Sequence, residues 1–202
     1  QKNDSDVNVS RRNHWLCSRI LHDMRSPYQS IPTWSHARER VHVVVDTQKG
    51  SRNKFRFDEE LGAFTLAHVL PLGTHFPYDF GSVPRTLAED GDPIDVMILS
   101  DEPTFVGCVI DVLLIGVIEA EQTSDGETKR NDRLLGVPVT KVNAATLAEI
   151  SDVPSTALDQ IELFFSAYNL AHGRQFKPLH RRGSQAARQL VLNAAKRYEE
   201  KT

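Results

Sequence analysis

Two stretches, residues 94–99 and 109–118, are almost uninterruptedly apolar and rich in Val, Ile and Leu. Runs of that length and composition belong to strands covered on both faces, so they commit the chain to a sheet with packing on each side. Shorter strand signals surround them. Residues 41–45 are mostly β-branched and stop at Asp46. Lys54-Phe55-Arg56-Phe57-Asp58 alternates polar and apolar after a turn marked by Gly50 and Asn53, and residues 63–70 follow Gly62 as a third strand. Residues 134–139 add another, after a polar loop spanning 121–133. Towards the C-terminus the period changes. Leu158, Ile161, Phe165 and Tyr168 recur at spacings of three and four, as do Ala187, Leu190, Val191, Ala194 and Tyr198, with Gly173 and Gly183 near the helix boundaries. Many strands followed by a few helices predict an α+β fold, with a mixed or closed β core and helices packed outside it.

Composition narrows the class. The 202 residues suffice for one domain with an extension, and 40% hydrophobic with 25% charged residues excludes wholesale disorder. The longest apolar run, 112–118, is far too short to span a bilayer, which predicts no membrane partner. A net charge of −3 argues against a nucleic-acid partner held by a basic face. Two cysteines, Cys17 and Cys108, allow one bridge at most, so a reduced, cytoplasmic setting is the expectation. Residues 1–40 read as a poorly defined extension: polar at first, then a short helix over 15–24, then a Pro- and Ser-containing stretch. They hold no apolar core and small-residue cleavage site of a secretory signal. The bland reading is a segment that packs on the domain or on a neighbouring subunit; a targeting or regulatory role is the alternative. Residues 41–202 form the expected catalytic domain.

Chemistry concentrates in Glu89-Asp90-Gly91-Asp92-Pro93-Ile94-Asp95-Val96. Gly91 and Pro93 restrict the backbone to a tight path, and the segment runs straight into an apolar strand. Three aspartates there repel one another unless a cation neutralises them, and an oxygen-rich cluster of this kind suits a hard ion such as Mg²⁺ completed by waters and phosphate. A solvated acidic turn is the plain alternative. An EF-hand is excluded, because the loop lacks the Glu at its twelfth position and the flanking helices.

The heptad Asp90-Gly91-Asp92-Pro93-Ile94-Asp95-Val96 resembles, at every position, the Asp-x-Asp-Pro-hydrophobic-Asp-hydrophobic signature of the soluble family I inorganic pyrophosphatases. Gly62-Ala63-Phe64, Phe76-Pro77-Tyr78-Asp79-Phe80-Gly81 and Thr86-Leu87 are similar to that family's run into the signature. Gly107-Cys108-Val109-Ile110, Ile115-Gly116-Val117, Leu134-Leu135-Gly136-Val137-Pro138 and Phe164-Phe165 with Tyr168 are similar downstream. The likeness covers about 41–198 and leaves out the extension. It implies a small five-stranded, OB-like β-barrel with flanking C-terminal helices. It also implies hydrolysis of pyrophosphate to two orthophosphates with several Mg²⁺ ions per site, Mn²⁺ or Zn²⁺ being substitutes. By the same likeness Asp90 and Asp95 ligate metal, and Asp92 both ligates and helps to activate the attacking water. Glu127 and Asp132 supply the second carboxylate pair, with Asp125 a nearby alternative. Lys54, Arg133 and Tyr168 contact the substrate, and Tyr168 is equally well explained as core. A homo-oligomer is implied, hexameric if bacterial and dimeric if eukaryotic.

The sequence also departs from the family pattern. Asp46 stands where Glu is usual, Arg56 where Glu, His68 where Arg, Phe76 and Phe80 where Tyr, Asn131 where Asp, and Asn169 where Lys. Arg56 is expected to replace the cation lost at His68. Lys177, with Arg181 and Arg182, either replaces the lost lysine or is a solvated charge run. His68 either hydrogen-bonds phosphate or is structural. Three functions remain in view: an active pyrophosphatase, a weakened or inactive relative that binds metal or phosphate, and an oligonucleotide-binding barrel, which the acidic cluster disfavours.

Overall fold

The structure is a computed structural model that describes residues 27–35, 39–140 and 147–201; the helix expected over 15–24 and Cys17 lie outside these. A single helical turn, α1 (Pro27–Ser30), precedes strand β1 (Trp34–Ser35). Then come β2 (Arg40–Thr47), β3 (Asn53–Asp58), β4 (Ala63–Val69), β5 (Asp79–Ser82), β6 (Asp95–Ile98), β7 (Val109–Ser124), β8 (Glu127–Arg130) and β9 (Arg133–Pro138). A 3₁₀ turn (Ile150–Asp152) leads to α2 (Ser155–Leu170), β10 (Gln175–Gly183) and α3 (Ser184–Lys201).

Five strands pair into a closed ring: β2 with β5, β5 with β6, β6 with β9, β9 with β7, and β7 back to β2. All of these pairings are antiparallel except β6–β9, which is parallel. Strand β7 is the spine, 16 residues long, and pairs also with β8 and β10. So long a strand can serve two neighbours on one edge only by bending, and its register against β9 shifts between Leu114 and Gly116. A Cβ on Gly116 would lie 2.6 Å from both the Arg182 carbonyl oxygen and Ile150 Cβ, so only glycine permits that approach. Gly81 on β5 is tighter still, with the Val44 carbonyl oxygen 2.2 Å from where its Cβ would be.

The two apolar runs that opened the sequence reading are the buried ring strands β6 and β7. One core cluster gathers Phe76, Phe80, Met97, Ile115 and Leu135 against Ile161, Phe165 and Phe176, and so anchors α2. The other gathers Val43, Val96, Ile98, Val112 and Leu134 against Ala187, Val191 and Ala194 of α3. The helical spacings therefore mark the faces that bury, as expected. β1 adds Trp34 and Ser35 to the edge of β2, and the Thr33 hydroxyl donates to the Pro84 carbonyl at 3.0 Å.

Three expectations need correction. Residues 121–133 are not one polar loop: β7 continues to Ser124 and pairs with β8 across the two-residue turn Asp125-Gly126, both at positive φ. That is the backbone of a type I′ hairpin, and Asp-Gly was its signal in the sequence. Strands β5 and β10 were absent from the sequence reading; β5 is short and carries Gly81, and β10 contains Pro178 with few apolar residues. Finally, β3 and β4 stand outside the ring as a separate two-stranded sheet, largely exposed along β4.

Candidate active site

The turn before β6 is held in shape by its own backbone and by Thr86. The Ala88 N–H donates to the Asp92 carbonyl at 2.8 Å, and the Asp92 N–H to the Asp90 carboxylate at 3.1 Å, with Gly91 at φ +95°. The Thr86 hydroxyl donates to the Val83 carbonyl at 2.6 Å and accepts from the Ile94 N–H at 3.0 Å, pinning the entry to β6. Parallel pairing sets Val96 opposite Leu134, so the preceding residues, Asp95 and Arg133, meet at the mouth of the ring. The Arg133 guanidinium donates to both the Asp95 carboxylate and the Asn131 side-chain oxygen. It is buried among Phe80, Phe165 and Phe176, with ring centroids 5.2–6.0 Å away, and its Nε has no hydrogen-bond partner among the described residues.

These groups open onto a cavity of about 820 Å³. Asp90, Asp92 and Asp95 line one side of it, and the β7–β8 hairpin adds Asp125 and Glu127. Lys54, His68, Tyr168 and Arg174 line it too, with Phe76 and Phe80 in its floor. Lys54 Nζ donates to Asp46 at 2.7 Å and lies 4.4 Å from the Phe80 ring centroid. Asp46 is pushed up to about 6, chiefly by burial and against the pull of Lys54. Burial also raises Asp90, and the charges of Asp95 and Asp92 push it the same way. The Tyr168 phenol is raised by burial, next by Asp95, so its hydroxyl stays a neutral donor.

The sequence-predicted residues separate into those the fold gathers and those it does not. Asp46, Lys54, Arg56, His68, Asp90, Asp92, Asp95, Glu127, Arg133 and Tyr168 all line this cavity. Asp132 does not: its carboxylate accepts from the Ala120 N–H at 2.9 Å and pairs with Arg130, and its neighbour Asn131 faces the cavity instead. The cause is strand alternation, since adjacent residues entering β9 point to opposite sides. Lys177 is exposed on β10 and does not line the cavity; Arg181 is held by Glu162 and Asp159, and Arg182 lies near Glu119. Arg56 does not replace a cation beside His68. Its cross-strand partner is Thr65, and its guanidinium reaches Asp92 at 2.8 Å. Residues that sequence reasoning missed are Arg174, Lys129 and Lys201, which line the cavity from three separate elements and carry no local signal.

A small, acid-walled and cation-rimmed cavity at the mouth of a five-strand ring defines a hydrolase site for a compact polyanion. Comparison with known proteins specifies it further. The family model described as inorganic pyrophosphatase matches residues 43–199. An inorganic pyrophosphatase of Haloferax volcanii is 33% identical over 174 residues, covering 86% of this chain and 96% of that protein. One from Nostoc is 41% identical over 128 residues, covering 63% and 73% respectively. The crystal structure of the Thermus thermophilus inorganic pyrophosphatase superposes with a TM-score of 0.77 at 33% identity, covering 85% of this chain and 98% of that one. The chain belongs to the inorganic pyrophosphatase family.

That family implies a divalent metal cofactor, generally Mg²⁺. Among the described residues, no three His, Cys, Asp or Glu side chains close into a ready-made cage. The donor chemistry fits such an ion all the same. Asp90, Asp92 and Asp95 offer only carboxylate oxygens around an open cavity, which leaves coordination positions for water and phosphate, the manner in which Mg²⁺ is ordinarily held. Their mutual repulsion, felt at Asp90, is relieved by any cation placed among them.

Proposed function

We propose that residues 41–202 are the catalytic domain, hydrolysing pyrophosphate to two orthophosphates in this cavity, with divalent ions held by Asp90, Asp92 and Asp95 and on the far side by Glu127. The observation that carries the reading is one cavity lined both by the three signature aspartates and by Lys54. A bound divalent ion supplies Lewis-acid charge to the phosphates and brings the pKa of a coordinated water toward neutrality. Asp92 takes the proton of the attacking water as its oxygen bonds to one phosphorus. The bridging oxygen departs with the other phosphate, and no covalent enzyme intermediate forms.

Lys54, steadied by Asp46, neutralises charge that develops on the leaving phosphate. Arg133 orients Asp95 and holds Asn131, and its aromatic surroundings bury the guanidinium while Asp95 stays open to the cavity. Tyr168 donates its hydroxyl to a phosphate oxygen. Mn²⁺ or Zn²⁺ as substitutes for Mg²⁺, a cytoplasmic site of action and an assembly of like chains belong to the same reading and rest on the family relationship. No helix among the described residues is long and apolar enough to cross a membrane.

The test is phosphate release from pyrophosphate with Mg²⁺. Release that vanishes with chelator and in Asp92→Ala supports the reading; no release above that variant sinks it. A second reading, binding without turnover, is favoured by one contact: Arg56 occupies the Asp92 carboxylate at 2.8 Å, and that ion pair must open before the oxygen can take a proton. Calorimetric binding of pyrophosphate with no hydrolysis would establish it.

A further inference from the structure

At the end of α2, His68, His172 and Arg174 come together with no acid paired to any of them among the described residues. His68 on β4 pairs across the small sheet with Lys54 on β3. Its ring meets that of His172 edge-on, with centroids 4.6 Å apart, and His172 in turn lies 4.7 Å from the Tyr168 ring. Arg174 is brought to the same place by the end of α2. Gly173 turns the chain at φ +72°, and the Arg174 N–H then donates back to the Asn169 carbonyl at 2.9 Å. That bond returns the chain to the cavity side, and Arg174 lines the cavity beside His68.

The pairing of charges here differs from that of the cations nearest the aspartates. Lys54 is neutralised by Asp46, Arg56 by Asp92 and Arg133 by Asp95. Neither Arg174 nor His68 has an ion-pair or hydrogen-bond partner for its side chain among the described residues. The Nδ1 of His172 lies 2.7 Å from the Tyr168 carbonyl, which can only accept, so Nδ1 carries hydrogen and Nε2 is the atom left to bind a proton. A guanidinium at an opening with a protonatable ring beside it and no counter-charge of its own is stabilised when an anion sits between them.

We propose that His68 and Arg174, with His172 packed edge-on behind His68, form the subsite for one phosphate group of pyrophosphate, and that His68 takes up a proton when that phosphate binds. The inference rests on the reading of this cavity as the pyrophosphate site. Arg174 is the permanent charge and can donate two parallel hydrogen bonds to phosphate oxygens. His68 is the titrating member. In the empty site burial holds its imidazole below the usual value, and the charges of His172, Arg174 and Lys54 push it the same way. These three, with the neutral phenol of Tyr168, are the groups that face it from β3, α2 and the turn after α2. A phosphate dianion reverses the sign of that environment and draws a proton onto the ring. Affinity therefore falls as pH rises through the imidazole range.

The experiment is calorimetric titration of the full chain, with Mg²⁺ present, using imidodiphosphate, whose bridging nitrogen resists hydrolysis. It is run from pH 5.5 to 8.5 in two buffers of different ionisation enthalpy on wild type, His68→Ala, Arg174→Ala and Arg174→Lys. Wild type should take up protons on binding and weaken across that range, whereas His68→Ala should take up clearly fewer. Arg174→Ala should weaken binding about tenfold or more at every pH, the loss of one charge-assisted contact, with partial recovery in Arg174→Lys. Circular dichroism of each variant separates loss of the subsite from loss of the fold. Equal proton uptake in wild type and His68→Ala, or unchanged affinity in a folded Arg174→Ala, overturns the subsite while leaving the pyrophosphate reading standing. No binding by wild type at any pH overturns both.

Discussion

The two sides of the cavity are built in different ways. The acidic wall is anchored to the ring: the turn carrying Asp90 and Asp92 runs straight into β6, Asp95 begins β6, Arg133 begins β9, and the parallel register makes those last two neighbours. The cationic rim belongs to no single element. Lys54 and His68 come from a two-stranded sheet outside the ring, Tyr168 from α2, and Arg174 from the turn beyond it. A wall anchored at a ring strand suits the role proposed for it, holding metal and a proton at one geometry. A rim carried on an outlying sheet and a helix end suits groups that admit and release an anion, because such peripheral elements open at lower free energy than the core.

That contrast can be broken in order of expected effect. Asp92→Asn should lower kcat by roughly 10²- to 10⁴-fold, the range for losing a general base, while calorimetry shows Mg²⁺ binding changed far less. Lys54→Ala should lower kcat, because charge developing on the leaving phosphate loses its cation, and also destabilise the fold, since it strands a buried carboxylate at Asp46. The expected cost is about 3 kcal/mol in denaturant unfolding at neutral pH. Because Asp46 already titrates near 6, above its unfolded value, its contribution to stability is present at acid pH and lost as pH rises through about 6. In Lys54→Ala that loss should move to higher pH.

Gly81→Ala tests the ring alone. Its Cβ would strike the Val44 carbonyl, and the strain should cost roughly 1–3 kcal/mol with substrate affinity little altered in the folded fraction. The smallest effect is reserved for Glu149, which accepts from the Ser184 N–H at 2.9 Å at the start of α3. That hydrogen bonding with Ser184 holds Glu149 below its usual value. Its contribution is therefore present above the unfolded carboxylate pKa and disappears as pH falls through the lowered one. Glu149→Gln should cost a few tenths to about 1 kcal/mol near pH 7 and nothing at strongly acid pH.

The same contrast explains what could be read from the sequence. Asp90, Asp92 and Asp95 lie within six residues, so the acidic wall was visible as a local motif, and β6 and β7 were visible as apolar runs. The closed ring follows from family resemblance rather than from periodicity, because ring closure depends on β2 meeting β7 across more than sixty residues. Arg174 was invisible for a related reason. Nothing in Gly173-Arg174 announces that the helix end turns it toward His68, about a hundred positions earlier. Asp132 and Asn131 show the reverse failure, since both read as ligands and only strand alternation tells them apart.

The central claim is a division of labour, with chemistry on the ring side and anion capture on the rim. Steady-state phosphate release from pyrophosphate, measured at fixed Mg²⁺ for wild type, Asp92→Asn and Arg174→Ala, tests it most directly. The account predicts that Asp92→Asn loses kcat with KM nearly unchanged, whereas Arg174→Ala raises KM and keeps most of kcat. Both variants losing the same parameter to the same degree would contradict it.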